Sequence, residues 1–174
     1  GAMAYTFMAA AGHATGKSLV EQDFIAEAKR LRELAGEKLK LPTDHVVAQE
    51  LAAGAEHQVT EGAVPEGWMG LDIGPQTIAA YEEIIGGAKT IAWNGPMGVF
   101  ETPPFDKGTL SVARAVAVAT DAGAISIIGG GDSAAAVDVA GLAERMSHVS
   151  TGGGASLEFM EGKAFAPLDV LDEA

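Results

Sequence analysis

Residues 125–135 read Ile-Ser-Ile-Ile-Gly-Gly-Gly-Asp-Ser-Ala-Ala, an apolar β-branched run that breaks into three glycines, an acid and a hydroxyl and then turns alanine-rich. That order predicts a strand, a tight turn and a helix. Glycine lets backbone approach a ligand with no Cβ in the way, and the first turn of a helix presents N–H groups that have no carbonyl to bond. Together they make a corner suited to an anion such as phosphate. The pattern returns at residues 148–156, His-Val-Ser-Thr-Gly-Gly-Gly-Ala-Ser, so two glycine corners lie within thirty residues of one another along the chain.

The rest of the chain alternates in the same way. Phe24, Ile25, Ala28, Leu31, Leu34 and Ala35 recur at helical spacing with Lys29, Arg30, Arg32 and Glu33 on the other side, which predicts an amphipathic helix over 21–35. Residues 45–48 and 69–73 predict strands, and the mixed composition of 51–67 predicts a loop or a short edge strand. Pro75 suits the first position of a helix reaching about residue 86. A strand over 90–93, a helix over 107–122 and the strand at 124–128 follow. Strands that are apolar without polar alternation, separated by helices, imply a parallel sheet with helices on both faces. In such a sheet ligands sit at the carboxyl ends of the strands, where every glycine-rich corner of this chain falls. No low-complexity linker divides the sequence, so a single domain over 1–174 is expected.

Composition narrows the chemistry. With 24 acidic against 11 basic residues, the formal charge of -13 disfavours nucleic acid and anionic membrane surfaces as partners. Any bound phosphate has to be held locally. The absence of cysteine removes thiolate metal sites and thiol nucleophiles and agrees with a reducing cytoplasm, and no apolar stretch approaches the length of a membrane span. A cytoplasmic protein without a membrane partner is the expectation.

Three motifs have competing readings. Gly12-His13-Ala14-Thr15-Gly16-Lys17-Ser18 ends like a P-loop but has three residues between its glycines instead of four and no strand before it, so Gly12 is better read as a helix C-cap. Ser133, on a strand-to-helix turn, has the setting of a hydrolase nucleophile elbow, although the only later histidine is His148. An esterase is therefore the alternative enzyme, a nucleotide-binding module without turnover the alternative outside catalysis, and a plain turn capped by Asp132 or Ser133 the structural reading. The four histidines, at 13, 45, 57 and 148, show no metal-ligand spacing.

Four stretches, in order, resemble the motifs of phosphoglycerate kinases: residues 67–75 (Gly-Trp-Met-Gly-Leu-Asp-Ile-Gly-Pro), 93–101 (Trp-Asn-Gly-Pro-Met-Gly-Val-Phe-Glu), 129–133 (Gly-Gly-Gly-Asp-Ser) and 147–156. Residues 2–7 and 16–20 resemble that family as well. The resemblance implies the C-terminal nucleotide-binding domain alone, a three-layer, Rossmann-like α/β unit without its first strands. It also implies that the N-terminal domain, which holds 3-phosphoglycerate or 1,3-bisphosphoglycerate, is absent.

What it implies for the residues is specific. Gly1, Leu51, Gly70 and Leu71 would line a flat adenine slot, Asn94, Pro96 and Val99 would border the nucleotide, and Glu101 would accept from the ribose hydroxyls. Gly130, Gly131, Asp132 and Ser133 would face the phosphates of ADP or ATP, with Asp132 as the Mg²⁺ ligand. Gly131, Gly152, Gly153 and Gly154 would serve the transferring phosphoryl group. The implied reaction is reversible transfer between 1,3-bisphosphoglycerate and ADP in glycolysis, by a full-length enzyme that is monomeric, with this chain alone catalytically incomplete.

Overall fold

A computed structural model describes residues 2–150 and 152–162. Gly1, one of the expected slot residues, lies outside them. Two three-stranded sheets organise the chain. The first is antiparallel and is built from β1 (Asp44–Ala48), β2 (His57–Glu61) and β3 (Met69–Ile73) in the order β2-β1-β3. The second is parallel and runs β4 (Thr90–Asn94), β5 (Ile125–Gly129), β6 (His148–Ser150) in sequence order.

The parallel sheet and the α/β class agree with expectation. The antiparallel sheet departs from it, because the connections from β1 to β2 and from β2 to β3 hold no helix and are too short for a parallel crossover. Residues 57–61, read as loop or edge strand, form that sheet's exposed edge. All five residues of β1 are buried because both faces of its sheet are covered. Tyr5 and Met8 of α1 (Met3–Ala10) pack with Val47 and Val64 on one side, and Phe105 packs with Val46, Ala48 and Leu71 on the other. Gly12 follows α1 with φ +82°, as a C-terminal cap requires, and no strand precedes it.

The amphipathic segment at 21–35 folds as a 3-10 turn leading into α2 (Ile25–Ala35). Helices α3 (Pro75–Gly87), α4 (Lys107–Asp121) and α5 (Gly131–Val139) share one core with the parallel sheet. Val112, Ala113, Val116 and Ala117 of α4 meet Trp93 and Ile128 there, with Tyr81, Ile85 and Val137 around them. Of these, α4 and α5 are the crossovers between neighbouring strands of this sheet, while α3 leads into it from β3. Successive right-handed crossovers between neighbouring strands put their helices on the same side. The opposite face exposes Ala92, Ile125 and Ile127, the two isoleucines at 55% and 38%.

Two buried aspartates tie strands to helix starts. Asp44 Oδ2 accepts from the Gln76 N–H at 2.9 Å, and its Oδ1 accepts from the Thr77 N–H at 2.8 Å and the Thr77 hydroxyl at 2.6 Å, fixing β1 to the first turn of α3. Asp72 does the same between β3 and α4, where its Oδ2 accepts from the Gly108 N–H at 2.7 Å.

Candidate nucleotide site

A cleft of about 770 Å³ opens between the start of β3 and the turn after β4. Six of the expected site residues line it: Leu51, Gly70, Leu71, Asn94, Pro96 and Val99. Leu71 is buried and Leu51 half exposed, so the walls are apolar at the base and open at the rim. The turn is held in place from two directions. Val99 N–H donates to the Leu71 carbonyl at 2.9 Å, and the N–H groups of Met97 and Gly98 both donate to Thr109 Oγ1 at 3.1 Å.

Beside the cleft lie the two glycine corners. Gly130 caps α5 with φ +93°, a conformation that side chains rarely adopt, and its N–H donates to the Ser150 carbonyl at 3.1 Å. α6 (Gly153–Met160) begins against it, so closely that a Cβ built on Gly153 falls 2.6 Å from Gly130 Cα. Only glycine permits that approach. Asn94 joins corner to cleft: it lines the cleft, and its Nδ2 donates to the Gly153 carbonyl at 3.4 Å. At the start of α5 the N–H groups of Gly131, Asp132 and Ser133 have no carbonyl of their own helix to bond. Asp132 is exposed there, as are Gly152 and Gly154. Glu101 is exposed just past Val99 on the same turn, next to the buried Phe100.

Ser133 departs from the exposed nucleophile that the hydrolase alternative requires. Its side chain is fully buried, and Oγ accepts from the Gly95 N–H at 2.6 Å, an anchor for the turn that borders the cleft. His148 lies on β6 with its side chain exposed. A hydroxyl committed to a neighbouring backbone donor inside the fold has no access to an ester.

Gly70 also acquires a second reason for being glycine. A Cβ built there falls 2.7 Å from Tyr5 Cε1 and nearer still to Cζ and Oη, so the Tyr5 ring occupies the space that a side chain would take. Tyr5 lines the cleft together with Met3, Lys17, Ser18 and Leu19, none of which the sequence reading gave a role. The available signal was Gly16 immediately before them. With φ +52° and the Trp68 and Pro65 carbonyls against its Cα, Gly16 turns the 17–19 segment over the cleft, and the Lys17 N–H donates to the Trp68 carbonyl at 2.7 Å. Lys17 brings a cation to a cleft in an otherwise acidic protein.

The family model for phosphoglycerate kinase matches residues 1–163. The chain belongs to the phosphoglycerate kinase family. It is 55% identical over 172 residues to the phosphoglycerate kinase of Solibacter usitatus, covering 99% of this chain and 43% of that protein. With the phosphoglycerate kinase of Rhodopirellula baltica it shares 56% over 177 residues, covering 44% of that protein. In three dimensions it resembles the phosphoglycerate kinase of Coxiella burnetii with a TM-score of 0.88 and 47% identity over 94% of this chain and 43% of that one. The enzyme from Pyrococcus horikoshii gives 0.79 at 31% identity. The chain thus spans less than half the length of the relatives it matches. Membership of this family, with Ser133 buried, leaves the esterase and the free-standing binding module without support. Among the described residues no helix is long and apolar enough to cross a membrane.

Proposed function

We propose that this chain is the nucleotide-binding part of a phosphoglycerate kinase, taking MgADP or MgATP into the cleft for reversible phosphoryl transfer between 1,3-bisphosphoglycerate and ADP in the cytoplasm. The observation that carries this is the position of Asn94, at once a wall of the apolar cleft and a hydrogen-bond partner of the glycine corner. A ligand with a flat apolar end and an anionic end matches both parts. Leu51, Leu71, Pro96 and Val99 supply the apolar walls for a base, Gly70 the close approach on the side that Tyr5 leaves open, and Glu101 a carboxylate for ribose hydroxyls. The phosphates then point at Gly130 and at the N–H groups of Gly131, Asp132 and Ser133, where the helix start favours negative charge.

Among the described residues no group of three or more His, Asp or Glu side chains could hold a metal ion. The single exposed carboxylate of Asp132 fits a Mg²⁺ that arrives on phosphate oxygens and keeps part of its water. Asp132 would hold that ion, which supplies neutralisation of phosphate charge. Gly153 and Gly154 offer backbone N–H groups beside the transferring phosphoryl group, and Gly152, whose N–H donates to Ser150 Oγ at 3.1 Å, shapes the corner before them. Phosphoryl transfer asks for positioning and charge stabilisation rather than a covalent nucleophile, and these residues serve both needs. The phosphoglycerate site, and the monomeric whole enzyme in which it sits, belong on this reading to the part of the relatives beyond this chain.

Calorimetric titration of the chain with MgADP tests the proposal. One saturable site is expected, and Asp132→Asn should lower the Mg²⁺ dependence of affinity while leaving the melting temperature close to that of the parent, since the α5 cap is Gly130, Asp132 makes no capping hydrogen bond, and the substitution removes only a charge in the first turn worth about 0.3–1 kcal/mol. A chain that does not bind MgADP, or a variant with unchanged Mg²⁺ dependence, refutes it. Coupled assay of ATP formation should detect no turnover from the chain alone.

A further inference from the structure

Asp72 is 2% exposed, and no Lys or Arg among the described residues pairs with it. Its Oδ1 accepts from the Ile73 N–H at 2.8 Å and its Oδ2 from the Gly108 N–H at 2.7 Å. Two glycines, 98 and 108, press their Cα atoms against the carboxylate: a Cβ built on Gly98 falls 2.5 Å from Asp72 Cγ, and one on Gly108 falls 3.0 Å from it. The carboxylate therefore sits between β3, the turn after β4 and the first turn of α4. These elements make the two sides of the cleft, Gly70 and Leu71 on one and Pro96 and Val99 on the other. A serine or threonine would cap α4 without placing a charge in a dry site. An ionised group held there at such a cost is better explained by what it positions.

We propose that Asp72 is a positioning residue for the nucleotide cleft, its ionised carboxylate setting the separation of the β3 wall from the 95–99 turn. This rests on the nucleotide reading above. Both carboxylate oxygens are used as acceptors, so a proton on either one sets a donor against a backbone N–H and weakens that bond. The wall then loosens. Burial pushes the Asp72 pKa up to about 6, opposed by the N–H groups of Gly108 and Ile73 and assisted by Asp106 at the start of α4. From α1 the facing group is Tyr5, whose phenol Asp72 and burial both push upward and which stays neutral through this range.

MgADP affinity measured by calorimetry from about pH 7.5 down to about pH 5, on the wild-type chain and Asp72→Asn, tests this. ADP titrates in the same window, so the readout is the difference between the two profiles. Asp72→Asn is expected to bind about three- to tenfold more weakly at the upper pH, because its amide sets a donor against one N–H as protonation does, and to converge with the wild type near the lower pH. Parallel profiles, or a variant that binds like the wild type throughout, overturn the inference while leaving the nucleotide site standing. Absence of wild-type binding overturns both. If Asp72→Asn does not fold, titration of the wild type with adenosine, which carries no group ionising in this window, decides: affinity that falls with a midpoint near pH 6 supports the assignment, and a flat profile refutes it.

Discussion

Adding one methyl group at Gly70 tests the packing that shapes the cleft. Alanine there places a Cβ 2.7 Å from Tyr5 Cε1 and closer to Cζ and Oη, whereas an ordinary van der Waals contact begins near 3.4 Å. The ring must move by more than a small adjustment. It is not free to do so, since Tyr5 is 6% exposed, packs with Met8, Val47 and Val64, and lies with its ring centroid 5.4 Å from that of His45. Overpacking of this kind costs about 1–3 kcal/mol, and the backbone on the other side of the clash, strand β3, is paired to β1 and cannot yield. At about 2–4 °C per kcal/mol for a chain of this size, Gly70→Ala should melt roughly 2–12 °C below the parent by circular dichroism. If Tyr5 is the obstacle, Gly70→Ala in a Tyr5→Leu background should cost much less than in the parent, a coupling of about 1 kcal/mol or more. A Gly70→Ala protein with the parental melting temperature, or additive effects in the double variant, would refute the account. Because Tyr5 also lines the cleft, the same substitution should weaken MgADP binding through displacement of the ring as well as through the methyl itself.

Ser133→Ala removes the acceptor of the Gly95 N–H and should lower stability by about 1–2 kcal/mol in urea denaturation, with a drop in MgADP affinity because the turn that Gly95 begins forms one wall of the cleft; an unchanged denaturation midpoint would show the bond to be idle. Asp72 also predicts a pH dependence of stability. Its folded-state pKa is raised from 3.8 to about 6, so the protonated form is favoured by folding, and the stability this gives is fully present below the unfolded value and is lost as pH rises through the folded one. Relative to Asp72→Asn, the wild type should therefore lose about 2 kcal/mol between about pH 4.5 and about pH 7.5. A wild-type advantage that grows over that interval would mean that the carboxylate is stabilised, not penalised, by its surroundings.

These predictions depend on neighbours that sequence periodicity does not specify. Every helix from α2 to α5 and the strands β1, β3, β4 and β5 were legible, because each is a continuous apolar pattern bounded by glycine, proline or a polar turn. The glycine corners were legible for the same local reason. What could not be read was pairing. Val46 and Val47 form as apolar a strand as Ile127 and Ile128, yet one lies in an antiparallel sheet and the other in a parallel one, and the difference is set by the length of the connections. Likewise Gly70 reads as a glycine that a flat ligand requires, while the atoms that fill its missing side chain come from Tyr5, far away in sequence.

The same reasoning accounts for Ser133 and Asp72, whose partners the sequence does not specify. A serine at a strand-to-helix turn looks reactive, and an aspartate inside the apolar run 69–73 carries no local signal of its partners. In the fold the serine is sealed against Gly95, and the aspartate is sealed among Gly98, Gly108 and Ile73. Ser133 holds the turn between β4 and α4 from the α5 side and Thr109 from the α4 side, while Asp72, bonded to Ile73 and Gly108, packs against Gly98 from the β3 side. A turn fixed by three buried polar side chains is a costly way to connect two elements, and it is the same turn that follows Asn94 and carries Pro96, Val99 and Glu101. The cost is intelligible if the turn must present those residues to a ligand at fixed spacing before the ligand arrives, which lowers the ordering penalty of binding.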